Sequence, residues 1–338
     1  MKNLDDLYDA LSTPTAGAVD SLSRLDGDVL LLGAAGKLGP ELAIMARRAF
    51  DRTGRANRVI AAARTFEPEL AARLEAAGVR LATADLLDDR MLAALPDAAN
   101  VIYLAGKKFG TTGAEHHTWA LNTFLPGVVA SRFRDSRFVA FSTGNVYPLT
   151  PVTGGGADET TPPGPVGEYA MSCLGRERVF ETFSHRYGIP VAIVRLNYAV
   201  EMRYGVLLEI ARAVHAGRPV DLTMGNVNVI WQGDVNAMTL QLLEHCNTPP
   251  LVINMAGPET VSVRWLAHRF GQLLGRDPVF TGQEQPTALL SNAARAHRLF
   301  GYPSMALPGL IEHTAAWVAN AGHIHGKDTH FQQRDGQF

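Results

Sequence analysis

The sequence contains little cysteine, no long apolar run and no large excess of charge of either sign. Two cysteines, Cys173 and Cys246, occur in 338 residues, too few for a disulfide framework or a four-cysteine metal site. Apolar runs such as Val29–Leu32 have the length of a strand, far short of the ~20 residues that span a bilayer. The formal net charge is -2, and the basic residues form no stripe that would favour nucleic acid. The N-terminal stretch is acidic and polar, unlike a secretory signal. We therefore expect a cytoplasmic protein without a metal, nucleic-acid or membrane partner.

Strand and helix signals alternate along the chain. Short apolar runs precede amphipathic stretches, for example DVLLL before PELAIMARRAF. These runs do not alternate strictly between apolar and polar residues, which is typical of parallel strands buried on both faces. The predicted strands are 28–32, 58–63, 79–86, 100–106, 137–143, 190–197 and 250–257. This order predicts an α/β protein with a doubly wound (Rossmann) parallel sheet.

Less regular regions in the second half of the chain predict a smaller, mostly C-terminal substrate lobe. The expected division is an N-terminal extension (1–27), a Rossmann domain (28–198, with 229–257 returning to it), a substrate-binding lobe (199–228 and 258–322) and a mobile tail (323–338). The tail is mostly polar, and such termini are disordered unless contacts hold them in place.

The motif GAAGKLG, with Gly33, Gly36 and Gly39, carries the first chemical signal. It follows a predicted strand and opens a predicted helix, which is the context that a dinucleotide-binding motif requires. Glycines let the backbone turn tightly and approach a pyrophosphate, whose charge meets the helix N-terminus. The motif therefore predicts dinucleotide binding.

Residues after the next two strands bear on the identity of the cofactor. Arg64 stands where an acidic residue would bind the ribose 2′-hydroxyl of NAD, so a 2′-phosphate and NADP are favoured. Glu67 could still reach a ribose, which keeps NAD as the alternative. Asp85 follows the third strand, where it could meet the adenine amino group or serve as a helix N-cap.

Taken together, the motifs resemble those of the extended short-chain dehydrogenase/reductase family, also called the NAD-dependent epimerase/dehydratase family. The resemblance rests on the order of GAAGKLG, ADLLD, NVIYLAG, ALNTFLPG, FSTGNVY, DETTPPGPVGEYAMSC, VRLNY, WQGDVNA and NMAGPETVSV. It implies that Thr143 binds a substrate oxygen and that Tyr169 is the acid/base during hydride transfer. It further implies that Asn122 holds backbone and water near the site, and that Asn145 and Asn197 contact substrate. The implied cofactor contacts are Gly33, Gly36, Lys37, Leu38, Gly39, Arg64, Asp85, Leu86, Leu104, Ala105, Gly106 and Tyr169.

Cys173 departs from the family pattern, because a lysine normally follows the tyrosine by four residues. The lysine ammonium lowers the pKa of the tyrosine, which at ~10 is a poor base alone, and it also binds the cofactor ribose. A neutral thiol does neither, and a thiolate would raise the pKa of the tyrosine. Lys107 and Lys108, just after the fourth strand, are candidates for supplying the missing cation, unless they are solvated loop residues.

A second departure concerns the substrate. Family members that act on nucleotide sugars usually carry an Arg-Asp pair where this chain has Val227 and Asn228. Losing a bidentate phosphate donor favours a small carbohydrate-like hydroxy or keto substrate, with Arg203 as a further contact. A nucleotide-sugar epimerase/dehydratase and a catalytically silent NADP(H) sensor are the alternatives. The resemblance also implies a homodimer, in which Phe180 and Phe183 would lie on one side of a buried helix.

Overall fold

A seven-stranded parallel sheet forms the centre of the structure, a computed structural model that describes Met1, residues 3–108, Gly110 and residues 113–337. The strands are β1 Val29–Leu32, β2 Val59–Ala63, β3 Arg80–Thr83, β4 Asn100–Tyr103, β5 Arg137–Thr143, β6 Val191–Leu196 and β7 Leu251–Met255. They lie in the order β7-β6-β5-β4-β1-β2-β3, and every neighbouring pair is parallel. The doubly wound sheet predicted from the sequence is confirmed.

Helices cover both faces of this sheet. The α-helices are α1 Leu4–Ser12, α2 Ala16–Arg24, α3 Gly39–Thr53, α4 Pro68–Ala76, α5 Asp89–Ala94, α6 Glu115–Trp119, α7 Leu125–Arg132, α8 Gly167–Tyr187, α9 Val206–Ala216, α10 Gln232–Leu242, α11 Val263–Leu274, α12 Ala294–Phe300 and α13 Leu307–Ala319. Alternate residues of β1 pack against the helices on the two faces of the sheet, because successive side chains of a strand point to opposite faces. Leu31 packs in the core that contains Phe50 of α3, whereas Leu30 and Leu32 pack in the core that contains Phe180 of α8.

A smaller lobe is built around α9, α11 and α13. Four pairs of two-residue strands complete it and join it to the rest: Thr150–Pro151 with Thr287–Ala288, Ala199–Val200 with Ile230–Trp231, Val220–Asp221 with Phe280–Thr281, and Asn226–Val227 with Val261–Ser262. The N-terminal extension is divided between the two cores. Leu7 and Leu11 of α1 are buried in the lobe, whereas Ala18 and Leu22 of α2 are buried against the sheet.

The strand order reverses between β1 and β4, and this point positions the site. In open α/β sheets a crevice forms there, at the carboxyl ends of the strands, because the flanking connections run to opposite faces. None of the helices in the described residues is long and apolar enough to cross a membrane.

Candidate active site

A glycine-rich turn joins β1 to α3 at the carboxyl edge of the sheet. Gly33 has φ +84°, and a Cβ there would lie 2.7 Å from the backbone nitrogen of Ala105. A Cβ on Gly39 would collide with the backbone of Ala34. Both positions need glycine because the turn packs directly on neighbouring backbone. Helix α3 begins at Gly39 without a side-chain cap, so its first N–H groups are not occupied by a capping side chain, an arrangement that suits a phosphate.

A cavity of about 300 Å³ lies beside this turn, between the carboxyl ends of β1 to β4. It is lined by eight of the sequence-predicted cofactor residues: Gly33, Gly36, Arg64, Asp85, Leu86, Leu104, Ala105 and Gly106. The lining residues that the sequence reasoning missed are Ala35, Ala63, Thr65, Ala84, Leu121 and Leu125. Leu121 and Leu125 come from the helical segment after β4, and their place in the apolar motif ALNTFLPG is the signal that could have found them. The cavity fits the adenosine half of a dinucleotide, with glycine backbone at one end and apolar walls.

Two polar side chains stand at the wall of this cavity. Arg64 is exposed at the end of β2, where a ribose or its phosphate could reach it. Asp85 Oδ1 accepts a hydrogen bond from the backbone of Leu87 at 3.0 Å. The N-cap of α5 is Asp88. The alternative role of helix N-cap, considered for Asp85, is therefore filled by Asp88.

The remaining predicted cofactor residues of the glycine motif do not line the cavity. Lys37 instead extends toward the lobe, where its Nζ lies 3.1 Å from the centroid of the Tyr204 ring. Burial, and after it repulsion from Lys108 and Lys327, lowers the pKa of Lys37 to about 7. Leu38 is the N-cap residue of α3, and the same helix begins at Gly39.

Thr143 and Tyr169 meet where β5 ends and α8 begins. Thr143 is buried, and its Oγ1 accepts hydrogen bonds from the backbone and the side-chain nitrogen of Asn145, at 3.2 and 3.0 Å. The Thr143 side chain also lies close enough to the phenol of Tyr169 to lower its pKa. Three sequence-predicted residues are therefore brought together, and they form a chain of hydroxyl and amide groups that can hold a substrate oxygen.

Cys173 lies one helical turn beyond Tyr169 and packs in the same small cluster. Burial raises the pKa of the Tyr169 phenol, and the nearby Cys173 raises it further. Burial also raises the pKa of the Cys173 thiol, whose side chain is 1% exposed. Both groups are therefore neutral at pH 7, and the phenol needs a nearby cation to act as a base.

The loop after β4 places Lys108 over the ring of Tyr169, with 5.9 Å between Nζ and the ring centroid. Burial lowers the pKa of Lys108 to about 8, and Glu209 partly offsets this effect. The ammonium donates to the carbonyl oxygen of Thr329 at 3.2 Å. Lys107 contributes its backbone to the site, because its N–H and C=O both bond to the side chain of Asn122.

Asn122 is fully buried in a π-helical turn, Ala120–Phe124, that interrupts the helix after β4. Such turns are frequent at functional sites because they re-aim a side chain. The Asn122 amide bonds to the backbone of Lys107 at 2.8 and 2.9 Å and to Ser172 Oγ at 3.0 Å. Its Oδ1 also accepts from Arg176 Nη2 at 2.8 Å. Arg176 was missed by the sequence reasoning, although its spacing of two helical turns from Tyr169 places both residues on one face of α8.

The predicted substrate residues Asn197 and Arg203 are differently placed. Asn197 is buried under Gly144, and its Nδ2 donates to Asn228 Oδ1 at 2.9 Å. Arg203 is buried, forms an ion pair with Glu201 at 2.9 Å, and packs 4.9 Å from the ring of Tyr8. The structure therefore does not bring Arg203 together with Tyr169. Tertiary packing explains this placement: α1 covers the guanidinium of Arg203, and the carboxylate of Glu201 neutralises its charge.

The C-terminal segment 323–337, expected to be mobile, makes specific contacts across the cleft between the lobe and the sheet. Thr329 is buried, and its N–H donates to Glu209 of α9 at 2.6 Å while its carbonyl accepts from Lys108. Arg334 donates to the backbone and hydroxyl oxygens of Thr287 at 2.7 and 2.6 Å. The side chain of Phe331 is 8% exposed. The segment therefore connects α9 of the lobe to the loop that carries Lys108.

Comparisons with known proteins agree with this arrangement. The model of the NAD dependent epimerase/dehydratase family matches residues 29–256. No curated protein matches the chain.

Solved structures resemble the fold over most of the chain. A UDP-glucuronic acid 4-epimerase from Bacillus cereus, solved with NAD, has a TM-score of 0.69 at 18% identity, covering 87% of this chain and 99% of that one. A UDP-glucose 4-epimerase from Thermotoga maritima, solved with UDP-glucose, has a TM-score of 0.69 at 16% identity, with coverage of 87% and 99%. An epimerase from Methanothermobacter thermautotrophicus has a TM-score of 0.72 at 18% identity, with coverage of 91% and 96%. At these identities the neighbours show a shared fold, whereas the family model spans about two thirds of the sequence. The chain therefore belongs to the NAD-dependent epimerase/dehydratase family.

Proposed function

We propose that this protein is a nicotinamide-dependent epimerase or dehydratase of a sugar derivative, with Thr143 and Tyr169 as its proton relay. The observation that carries the proposal is the proximity of these two side chains at the carboxyl edge of the sheet, where Thr143 lowers the pKa of the phenol. The cavity beside the glycine-rich turn lies at the same edge of the sheet. When bound, the dinucleotide supplies an acceptor and donor of hydride. The chain supplies a phenol that takes the proton of a substrate hydroxyl and a threonine that holds its oxygen.

The protonation states of the site explain what the relay requires. Burial holds the pKa of Tyr169 above its ordinary value, so the phenol is a donor until a positive charge stabilises the phenolate. Cys173 supplies no such charge. Lys108 lies above the ring and is charged below its pKa of about 8. Asn122 keeps the backbone of Lys107 in place, which fixes the loop that carries Lys108.

For the cofactor we favour NAD and keep NADP as the alternative. The B. cereus neighbour is described as a complex with NAD. Arg64 remains the sequence-based reason for NADP, and it stands exposed at the cavity wall. Titration of the purified protein with NADH and NADPH separates the two, because a 2′-phosphate that meets Arg64 should bind several-fold more tightly.

For the substrate we favour a nucleotide sugar, the class named for two of the neighbours. A small carbohydrate without a phosphate is the second candidate, and the structure offers a specific reason for it. Val227 is fully buried, and the amide of Asn228 is committed to Asn197 and the backbone of Ser291. Neither residue can grip a phosphate as an arginine would.

The test is incubation of the protein with NAD and UDP-glucuronic acid or UDP-glucose, followed by chromatographic separation of epimers. We expect conversion that disappears in Tyr169→Phe. Tyr187→Phe, at the exposed end of the same helix, serves as the matched control and should retain the rate. Conversion that survives Tyr169→Phe would overturn the proposed relay. Binding of NAD without conversion of either compound, or of sugar acids and hydroxyketones, would favour the NADP(H)-sensor alternative.

We also propose a homodimer through the outer face of α6, α7 and α8. An apolar surface there includes Trp119 and Phe124, which are 37% and 64% exposed, and Phe183. Phe180 does not belong to this surface, because it is fully buried against Tyr103 and Phe138 of the sheet. Sedimentation analysis tests the proposal: Phe124→Asp should give monomers, and an unchanged mass would contradict this interface.

A further inference from the structure

Position 173 holds a cysteine, so the cation that would assist Tyr169 is missing there. A positive charge lies one helical turn further along α8, at Arg176. Arg176 follows Cys173 by three residues and Tyr169 by seven, so all three side chains lie on the same face of α8. Its side chain points inward, and the residue is 6% exposed. A guanidinium stays charged at any pH that a folded protein tolerates.

The contacts of Arg176 hold its guanidinium against the cofactor side of the site. Nη1 donates to the carbonyl of Phe141 at 2.6 Å, two residues before Thr143. Nη2 donates to Asn122 Oδ1 at 2.8 Å, and Nε donates to the carbonyl of Asn122 at 3.3 Å. A Cβ on Gly106, which lines the dinucleotide cavity, would collide with Nη2. The arginine therefore fills the space between the end of β5 and the cavity floor.

The charge of Arg176 is not neutralised by a carboxylate among the described residues, since none lies within 4.0 Å of its guanidinium. Arg195 provides the contrast inside the same core. It is equally buried, but its guanidinium is paired with Glu177 at 2.6 Å. All partners of Arg176 are neutral oxygens, and a buried cation without a counter-charge is costly unless a negative group forms beside it. The nearby groups that can become negative are Tyr169, Cys173 and Tyr103.

We propose that Arg176 supplies the positive charge that the missing lysine would provide, and that it does so as a positioning residue acting on Tyr169 and on the nicotinamide end of the cofactor. This inference rests on the proposed function. Lys108 is less suited to be the permanent source of charge. Its ammonium is committed to Thr329 of the C-terminal segment, whereas the guanidinium belongs to the same rigid helix as Tyr169.

The consequence that can be measured without any substrate is the balance between oxidised and reduced cofactor. A fixed positive charge near the nicotinamide weakens binding of the positively charged NAD⁺ relative to NADH. Arg176→Met removes the charge and keeps most of the side-chain volume. We expect the ratio of the dissociation constants of NAD⁺ and NADH to fall at least about fivefold in this variant, the effect of one unit charge about 17 Å from the nicotinamide at an effective dielectric constant near 20, and more at a shorter distance.

Conservative and compensating variants distinguish charge from structure. Arg176→Lys should keep the ratio within about twofold of the wild type, because the charge is retained. Adding Cys173→Lys to Arg176→Met should restore the ratio by returning the charge to the family's usual position. Arg178→Met removes an exposed, ion-paired arginine from the same helix and should leave the ratio unchanged. Thermal unfolding of each variant identifies any that does not fold.

The outcomes separate this inference from the function on which it rests. A wild-type chain that binds neither NAD⁺ nor NADH would overturn both. A wild-type chain that binds them, with the same ratio in folded Arg176→Met, would overturn the role of Arg176 alone. Should Arg176→Met fail to fold, an Arg176→Lys ratio shifted as far as that of Arg176→Gln would also contradict it, since the lysine keeps the charge and the glutamine does not.

Discussion

The two halves of the candidate site differ in the types of residue that form them. The adenosine half, at the ends of β1 to β3, consists mainly of glycine and alanine backbone with apolar walls. The catalytic half, at the ends of β4 and β5, consists of ionisable side chains, among them the partly buried Tyr169 and the buried Cys173 and Arg176. In the first half the chain follows the family motif, and in the second it departs from it.

This difference shows that a steric requirement and a requirement for charge differ in how readily another residue can meet them. A turn with positive φ against another backbone admits glycine and little else, so the motif at Gly33 is readable in one sequence. A positive charge can reach the same phenol from several directions, so the loss of lysine at 173 leaves room for Arg176 or Lys108. A charge can be supplied from a different position in the chain, because it acts over several ångströms. A steric requirement for glycine must be met at the position itself.

The largest expected effect is that of Tyr169→Phe on turnover. Removing the phenol hydroxyl should lower the rate by roughly 10²–10⁴-fold, the usual contribution of a positioned acid/base. Affinity for NAD, measured by titration, should change little because the ring remains. A parallel loss of cofactor affinity would mean that the two halves are not separable.

Gly33→Ala should have the largest effect on the adenosine half. The new Cβ would meet the backbone of Ala105 at 2.7 Å in a residue with φ +84°, so we expect a loss of stability of about 2 kcal/mol. Cofactor affinity should fall at least about tenfold, since the pyrophosphate turn must shift. Gly54→Ala is the control, because Gly54 also has positive φ but nothing within 4 Å of its Cβ. It should lose only about 1 kcal/mol and keep its affinity.

The catalytic half should make stability depend on pH through Lys108. Its folded pKa of about 8 lies below the ordinary 10.5, so the unfolded chain binds more protons between these two pH values. The free energy of unfolding should therefore rise with pH from about 8 to 10.5 in the wild type relative to Lys108→Met. The titratable groups near Lys108 are Tyr169, Glu209, Cys173 and Lys37.

Urea unfolding at a series of pH values measures this difference. Arg178→Met removes an exposed, ion-paired positive charge from α8 and is the control. Identical pH profiles for the wild type and Lys108→Met would show that Lys108 is not desolvated in solution.

Arg64→Ala should have the smallest effect. Because the side chain is exposed, its loss should change the ratio of NADPH to NADH affinity by a few-fold at most. The change should shrink with added salt, since an exposed contact is screened. A ratio that does not change would remove Arg64 from cofactor selection.

Sequence patterns predicted the seven strands and the glycine turn, because each depends on local residue types in a fixed order. The roles of Thr143 and Tyr169 came from the resemblance to the family. Sequence patterns did not identify the π-helical turn at Asn122, since a local change of hydrogen bonding leaves little trace in composition. The contacts of Arg203 could not be predicted for a different reason. Its partners Glu201 and Tyr8 are brought together by packing of the N-terminal helix on the lobe.

Composition and motif order were sufficient to identify a doubly wound dinucleotide fold, because burial of parallel strands and the glycine turn constrain residue type directly. The distribution of charge around Tyr169 was decided only when the chain folded. Arg176 meets the cofactor cavity and the end of β5 through contacts with Asn122 and Phe141, which are 54 and 35 residues away in sequence. The C-terminal segment likewise reaches Lys108 across 221 residues. Distances of this kind follow from packing in three dimensions, and one sequence carries no pattern that records them.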